Sequence, residues 1–233
     1  MYSLTIRLSR HAYTRLHRLG LWNSPTWEQV VAQPTVRLYA GFLSPDRPQW
    51  PDHWGLTSFV KFRRNLDQDL LDPIPAPDNT VDSIQAEDVL EHLPYDRVLG
   101  VLEEFYRVLK PGGFLRISIP DYRFDGYRER CLTGADGELL FDPGGGGAYV
   151  DGQVVDGGHL WFPVSENVEA LYAASGFAKG GRYELVHHVK PDGTPVLTPI
   201  DYSRGYIQRT PDHDPRAMNP RRPMSIVADA WKS

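Results

Sequence analysis

The hydrophobic period of the chain changes twice between Val81 and Ile119, and this change constrains the fold more than any other feature of the sequence. Val81 to Ala86 has an extended pattern. From Tyr95 onward Val98, Leu102, Phe105 and Leu109 recur at steps of four, three and four, which places them on one face of a helix. Lys110-Pro111-Gly112-Gly113 then ends it, because a basic residue meets the helix C-terminus, proline cannot continue the ladder and the glycines permit a sharp reversal. Phe114 to Ile119 alternates like a strand. Strand, helix and strand in so short a span predict a right-handed crossover between parallel strands.

The rest of the chain extends this unit. Thr26-Trp27-Glu28-Gln29 has capping-box spacing ahead of Val30 and Val31, and Pro34 closes that short helix. Val36 to Ala40 is a short strand running into Gly41, and a loop rich in Pro and Trp leads to a second strand around Trp54 to Val60. After Pro120 comes a long irregular segment containing Gly144 to Gly147, expected to form a mobile lid. A helix capped by Ser165 and stopped at Gly176 follows, then strands over Arg182 to Val189 and Ser225 to Trp231. The expected organisation is an N-terminal helical extension over 1–33 and one domain over 34–233, with insertions at about 122–160 and 190–223.

Composition narrows the partners. The 233 residues are 41% hydrophobic and 24% charged, near globular averages, and the net charge of -5 argues against nucleic acid. The single cysteine, Cys131, has no intrachain partner and gives no sign of an oxidising compartment. Met1 to Trp22 carries Arg7, Arg10, Arg15 and Arg18 but no apolar run long enough for a span or a signal sequence, so membrane insertion is not expected and a cytoplasmic location is. This segment is expected to pack on the domain or on a second copy, as in a homodimer.

Three motifs in order carry a family resemblance: Asp78-Asn79-Thr80-Val81-Asp82, Val89-Leu90-Glu91-His92-Leu93 and Arg107-Val108-Leu109-Lys110-Pro111-Gly112-Gly113. They resemble the type 11 group of class I S-adenosyl-L-methionine-dependent methyltransferases. His159-Leu160-Trp161 and the tail Ser225 to Lys232 resemble a subgroup associated with glycan and polysaccharide biosynthesis. The resemblance implies an α/β, Rossmann-like doubly wound sheet with helices on both faces and an antiparallel last strand, and ligands beyond the carboxyl ends of the strands. It implies cofactor contacts from Tyr39, Ala40 and Gly41 after the first strand, Thr57 after the second, Asp69 and Leu70 at the adenine end, and Gln85, Glu87 and His92 around the fourth. Two departures stand out. Leu43 occupies the place of the second glycine of the first loop, and Thr57 or Ser58 that of the usual acidic ribose ligand.

The chemistry to be served is in-line methyl transfer, in which positioning supplies most of the rate and a base helps a hydroxyl nucleophile. His159 is the expected base, with Asp121 beside it at the end of the fifth strand. Tyr122, Arg123, Trp161, Tyr202 and Arg204 are the expected acceptor contacts. Asp212-His213-Asp214 suggests at most a divalent cation such as magnesium, since some sugar methyltransferases use one. The expected activity is O-methylation of a sugar hydroxyl in an oligosaccharide or polysaccharide precursor. The alternatives are a methyltransferase for another small metabolite and a methyltransferase-like binding module without catalysis.

Overall fold

The computed structural model of the chain describes residues 25–58 and 63–233; the basic segment before Pro25 lies outside them. Thr26 caps helix α1 (Trp27–Val31) through both arms of its capping box. Strands β1 (Arg37–Ala40), β2 (Trp54–Thr57), β3 (Asn65–Asp67) and β4 (Val81–Glu87) follow, then a 3-10 turn at Leu90–His92, helix α2 (Tyr95–Val108) and strand β5 (Leu109–Pro120). The predicted crossover is therefore present, with Val98, Val101, Leu102, Phe105 and Val108 buried along one face of α2.

The segment expected to be irregular has structure of its own: a short helix α3 (Asp125–Arg128) and two small ribbons, β6 (Leu132–Thr133) with β7 (Leu139–Phe141) and β8 (Ala148–Val150) with β9 (Gln153–Val155). Helix α4 (Ser165–Ala174) begins at its expected cap residue, one residue earlier than expected. Val164 stands at the cap position and its backbone N–H donates to the Asn167 side chain at 2.9 Å. The helix ends before Gly176 as expected, with Ser175 extended at its end, and Ser175 then caps a second short helix, α5 (Gly176–Gly180). Strands β10 (Gly181–Val189), β11 (Pro195–Leu197) and β12 (Ser225–Lys232) complete the chain.

The main sheet has eight strands in the order β11-β10-β12-β5-β4-β1-β2-β3. From β5 through β4, β1 and β2 to β3 all pairings are parallel; β12 runs antiparallel to both β5 and β10. This is the α/β, doubly wound sheet that the resemblance implies, with its antiparallel last strand between its neighbours.

Alternation along the strands separates two unlike faces. Leu38, Ala40, Ile84, Ala86, Leu115, Ile117, Ile119, Ile226, Ala228 and Ala230 form one apolar face, packed in a single core with residues of α1, α2, α4 and α5. The other face carries Tyr39, Gln85, Glu87, Arg116, Ser118 and Asp229, all buried. Helices were expected on both faces, but this one is covered by the loops over 44–53 and 198–210. Arg116 explains the difference. Its side chain is fully buried, and it pairs through two bonds of 2.7 and 2.6 Å with Asp229, its register partner on β12. Its remaining nitrogen, Nη1, donates to the carbonyls of Asp201 and Gly205 at 2.9 and 2.8 Å. A face with that polarity needs backbone acceptors, which a loop supplies and the flank of a helix does not. No helix among the described residues is long and apolar enough to cross a membrane.

Breaking the pair from one side leaves a buried, unmatched charge. Arg116→Met should lower the unfolding free energy by about 3–5 kcal/mol, and adding Asp229→Leu should restore a large part of it; urea midpoints of the two variants check this. A pH effect comes from His187 on β10, 1% exposed, whose Nε2–H donates to the Thr198 carbonyl at 3.1 Å. Burial pulls its imidazole down to about 4, against the opposing influence of that carbonyl and Asp212, with Arg221 and Arg116 adding to the depression. The unfolded chain therefore takes up the proton first. Stability should fall as pH drops from about 6.5 toward 4, by about 2–3 kcal/mol from this group. His187→Asn should flatten that part of a thermal stability profile.

Candidate functional site

The carboxyl ends of β1 and β4 define the first half of the site. Gly41 turns the chain out of β1 with φ +104°, and a side chain there would come within 2.9 Å of Val89 Cγ2. Tyr39 and Ala40 before it are buried. Leu43 points into the fold instead of leaving a second glycine turn: its backbone N–H and C=O both pair with the Asn65 side chain at 2.8 Å. Thr57 ends β2 opposite Asp67 in register and is 4% exposed. Asp69 is exposed, its Oδ1 accepting from the Leu71 amide at 2.9 Å, while Leu70 beside it is buried.

Gln85 and Glu87 end β4 and are both buried. Gln85 Oε1 accepts from Gln49 at 3.0 Å, and its amide nitrogen donates to the Tyr206 carbonyl. Glu87 takes Arg47 on one oxygen at 2.9 Å and the Gln208 amide on the other at 2.8 Å. Burial and the neighbouring Asp88 push its carboxyl up, against Arg47. Arg209 pairs with Asp88 at 3.1 Å. Arg47, Gln49, Asp88 and Arg209 were not foreseen, because they sit in loops whose sequence offers only polarity.

The second half lies where the 3-10 turn meets the segment Gly157 to Trp161. Leu160 N–H donates to the Glu91 carbonyl at 2.8 Å, Trp161 Nε1 to the Leu90 carbonyl at 3.0 Å, and His92 Nδ1 to the Gly157 carbonyl at 2.8 Å. His159 is 4% exposed, and its ring packs edge-on to His92 with centroids 4.7 Å apart. Its Nδ1 lies 2.5 Å from the Tyr122 hydroxyl, which donates to Asp142 at 2.6 Å. Arg130 holds the same carboxylate through two bonds of 2.7 and 2.6 Å. Burial works against the Asp142 anion, but Arg130, Tyr122 and the Gly144 amide hold it below the usual carboxylate range. Burial and then His92 pull the His159 imidazole down to about 4, so it is neutral at physiological pH. The glycine run expected as a lid covers this ring: a side chain on Gly145 would stand 2.6 Å from it.

The structure brings His159, His92 and Tyr122 together and sends other expected residues elsewhere. Asp121 was expected beside His159, yet its two oxygens accept the Arg123 and Val189 amides at 2.9 and 2.7 Å, which ties the ends of β5 and β10 together. Arg123 pairs with Glu166 on α4. Trp161 is 7% exposed, within the core that surrounds α2. Tyr202 and Arg204 line a cavity of about 490 Å³ on the polar face, together with Arg37, Asp52, His53 and Phe114. Arg37 and Phe114 place it toward the amino ends of β1 and the parallel part of β5, away from His159. The Asp212-His213-Asp214 run does not gather into a cation site: Asp212 accepts from Tyr202 and pairs with Arg221, and Asp214 caps a 3-10 turn and holds Arg216.

Parts of the chain are similar to known proteins. Residues 57–117 match the family model described as "Methyltransferase domain". A sterol 24-C-methyltransferase ERG6B from Gibberella zeae is 28% identical over 148 residues, 60% of this chain and 32% of that protein. The chain thus spans about a third of the length of this curated relative. Among solved structures, a methyltransferase from Thermotoga maritima described as a possible histamine N-methyltransferase aligns over 96% of this chain and 95% of its own, at 16% identity and TM-score 0.48. A methyltransferase from Archaeoglobus fulgidus aligns over 99% of both chains at 15% identity and TM-score 0.48.

S-adenosyl-L-methionine is the cofactor that this family match implies, and the carboxyl edge fits it. The turn at Gly41 has no room for a side chain, and buried Asp88 Oδ1 lacks a hydrogen-bond partner. Asp69 and Leu70 stand at the next strand end. The Asp142 node is testable independently of any ligand. Asp142→Asn weakens its bonds to Arg130, Tyr122 and Gly144, and should cost about 2–3 kcal/mol in a urea unfolding curve.

Proposed function

We propose that the chain is an S-adenosylmethionine-dependent O-methyltransferase whose acceptor is a sugar hydroxyl of an oligosaccharide or polysaccharide precursor. One observation carries the reading: the side-chain-free turn at Gly41 and the end of β4 at Glu87 lie at one sheet edge, continuous through Asp88 with the buried group of His92 and His159. The sulfonium cofactor supplies an electrophilic methyl group when bound. Tyr39, Ala40, Gly41 and Glu87 would hold its amino-acid end, and Asp69 and Leu70 its adenine. Tyr122 and Asp142 orient His159, whose second ring nitrogen is an electron-pair donor at neutral pH and would accept the proton of an acceptor hydroxyl. Gly144 to Gly147 shields that nitrogen from water. Tyr202, Tyr206 and His213 cluster with ring centroids 4.6 to 6.4 Å apart beside the cavity on the polar face, and offer flat faces to sugar units remote from the reacting one.

A second reading has its own support. Arg47 and the Gln208 amide already occupy Glu87, and Gln49 and the Tyr206 carbonyl engage Gln85. A chain permanently closed in this way is a methyltransferase-like binding module. Calorimetric titration with S-adenosylhomocysteine separates the two, since binding is expected and its absence at millimolar ligand sinks methyl transfer. Gly41→Ala should weaken that binding about tenfold, or ~1.4 kcal/mol, because its Cβ is forced toward Val89. Labelled S-adenosylmethionine with a panel of oligosaccharides should label a sugar; label confined to other small metabolites refutes the glycan acceptor. His159→Ala should abolish turnover and leave S-adenosylhomocysteine affinity nearly unchanged.

A further inference from the structure

Glu91 is the most anomalous side chain among the described residues. It is fully buried, yet neither carboxylate oxygen makes a hydrogen bond of good geometry, the backbone amides of Val89 and of Glu91 itself being the nearest donors. Burying an isolated carboxylate is costly, and native structures compensate it with donors, a proton or a cation. Its neighbours are two imidazoles. His159 Nε2 lies 3.7 Å from Glu91 Oε1, and one ligating atom from each of Glu91, His92 and His159 lies within 4.8 Å of the others.

The outer contacts of the two rings leave the same atom free in each. His92 Nδ1 is engaged by the Gly157 carbonyl and His159 Nδ1 by the Tyr122 hydroxyl, which is itself fixed by Asp142 and Arg130. Both rings therefore keep Nε2 unengaged. A backbone carbonyl on one ring and a hydroxyl–carboxylate relay on the other are the contacts that orient ligating histidines and raise their basicity. The fold supports the arrangement locally. The 3-10 turn presents Glu91 and His92 as successive side chains, and three hydrogen bonds clip the irregular segment carrying His159 alongside it.

We propose that Glu91, His92 and His159 form a binding site for a divalent first-row transition metal of the zinc type, with the carboxylate and the two Nε2 atoms as ligands and one position open. Two imidazoles and a carboxylate suit zinc, whereas magnesium and calcium favour all-oxygen ligation. Ligands at zinc bond lengths stand about 3.3 Å apart in a tetrahedron, so the observed spacing closes with side-chain movements of about 1 Å. The ion gives Glu91 the counter-charge that it lacks. Asp88, whose own Oδ1 is buried without a partner, and Arg209, which pairs with Asp88, lie just outside and balance each other. The open position takes water or a hydroxyl oxygen and makes it more acidic. Only this last role rests on the methyltransferase reading, in which the bound ion then acidifies the acceptor hydroxyl in place of a free His159 Nε2; the metal site stands without it.

The test uses the full chain, stripped with a chelator and titrated with Co(II) in the absence of any cofactor. The expected result is a visible d–d band saturating at about one equivalent and displaced by Zn(II). Glu91→Gln, folded by far-ultraviolet circular dichroism, should bind Co(II) about 100-fold more weakly, and Tyr122→Phe, which touches no metal, about tenfold more weakly. Asp212→Asn, in the unrelated carboxylate run, should leave the titration unchanged. Absence of the band in stripped, folded protein overturns the site, as does undiminished Co(II) affinity in Glu91→Gln. Neither result bears on S-adenosylhomocysteine binding, which calorimetry measures separately.

Discussion

The buried Arg116–Asp229 pair sets the character of half the molecule. A guanidinium taken fully out of water requires good geometry and acceptors for its remaining donors. The antiparallel register of β5 and β12 provides the geometry by placing Asp229 directly opposite. Asp201 and Gly205 provide the acceptors. This ties residues far along the chain to the middle of the sheet, and it makes the second face a place for loops rather than helices. The short connection between β1 and β2 is consistent with that, since residues 44–53 share this face through Gln49 and Gln85.

Position at the carboxyl edge follows from the same anchoring. Once Gly205 is fixed on Arg116, the next residues bring the Tyr206 carbonyl to Gln85, the Gln208 amide to Glu87 and Arg209 to Asp88. A second pin works at the end of β5. Asp121 donates its backbone N–H to the Met224 carbonyl and accepts the Val189 amide, so the ends of β5 and β10 and the start of β12 are held by one residue. Tyr122 follows immediately and inherits a fixed direction toward Asp142 and His159. Asp121 thus acts on the site through its neighbour, which accounts for an aspartate at a strand end with no free oxygen.

The parts legible in the sequence were those with a period or a local rule. Val98, Leu102 and Phe105 at helical spacing along α2, the capping box at Thr26 and the Pro-Gly-Gly reversal specify their elements without outside help, and the crossover followed. The polar face was not legible. Gln85, Glu87, Arg116 and Asp229 alternate with apolar residues, a pattern that usually marks a solvated face, and only the structure shows them covered by loops. The site was half legible. His92 and His159 stood out by residue type, but Asp142 joins His159 only through Tyr122, and Glu91 was hidden inside a motif already explained as a helix entrance. The Ser165 cap failed for a smaller reason: Asn167 takes the Val164 amide, so the helix starts one residue sooner.

Glu91 is therefore where the physical bookkeeping of the fold fails to close. Its surroundings are not poor in donors, since Tyr122, Arg130 and Arg209 all lie in the same network, yet each is committed to another acidic group. The same network fixes both histidine rings by their Nδ1 atoms and lays a glycine-only stretch across His159, where any side chain would collide. A merely structural histidine needs one hydrogen bond and tolerates either nitrogen outward. Two rings oriented alike beside an unpaired carboxylate are a stronger condition, and each element that enforces it, the 3-10 turn, the clipped segment and the Tyr122–Asp142–Arg130 relay, comes from a different part of the chain. The arrangement brings three electron-pair donors together at a buried carboxyl that burial drives toward its protonated form, and a cation bound between them would take the place of that proton.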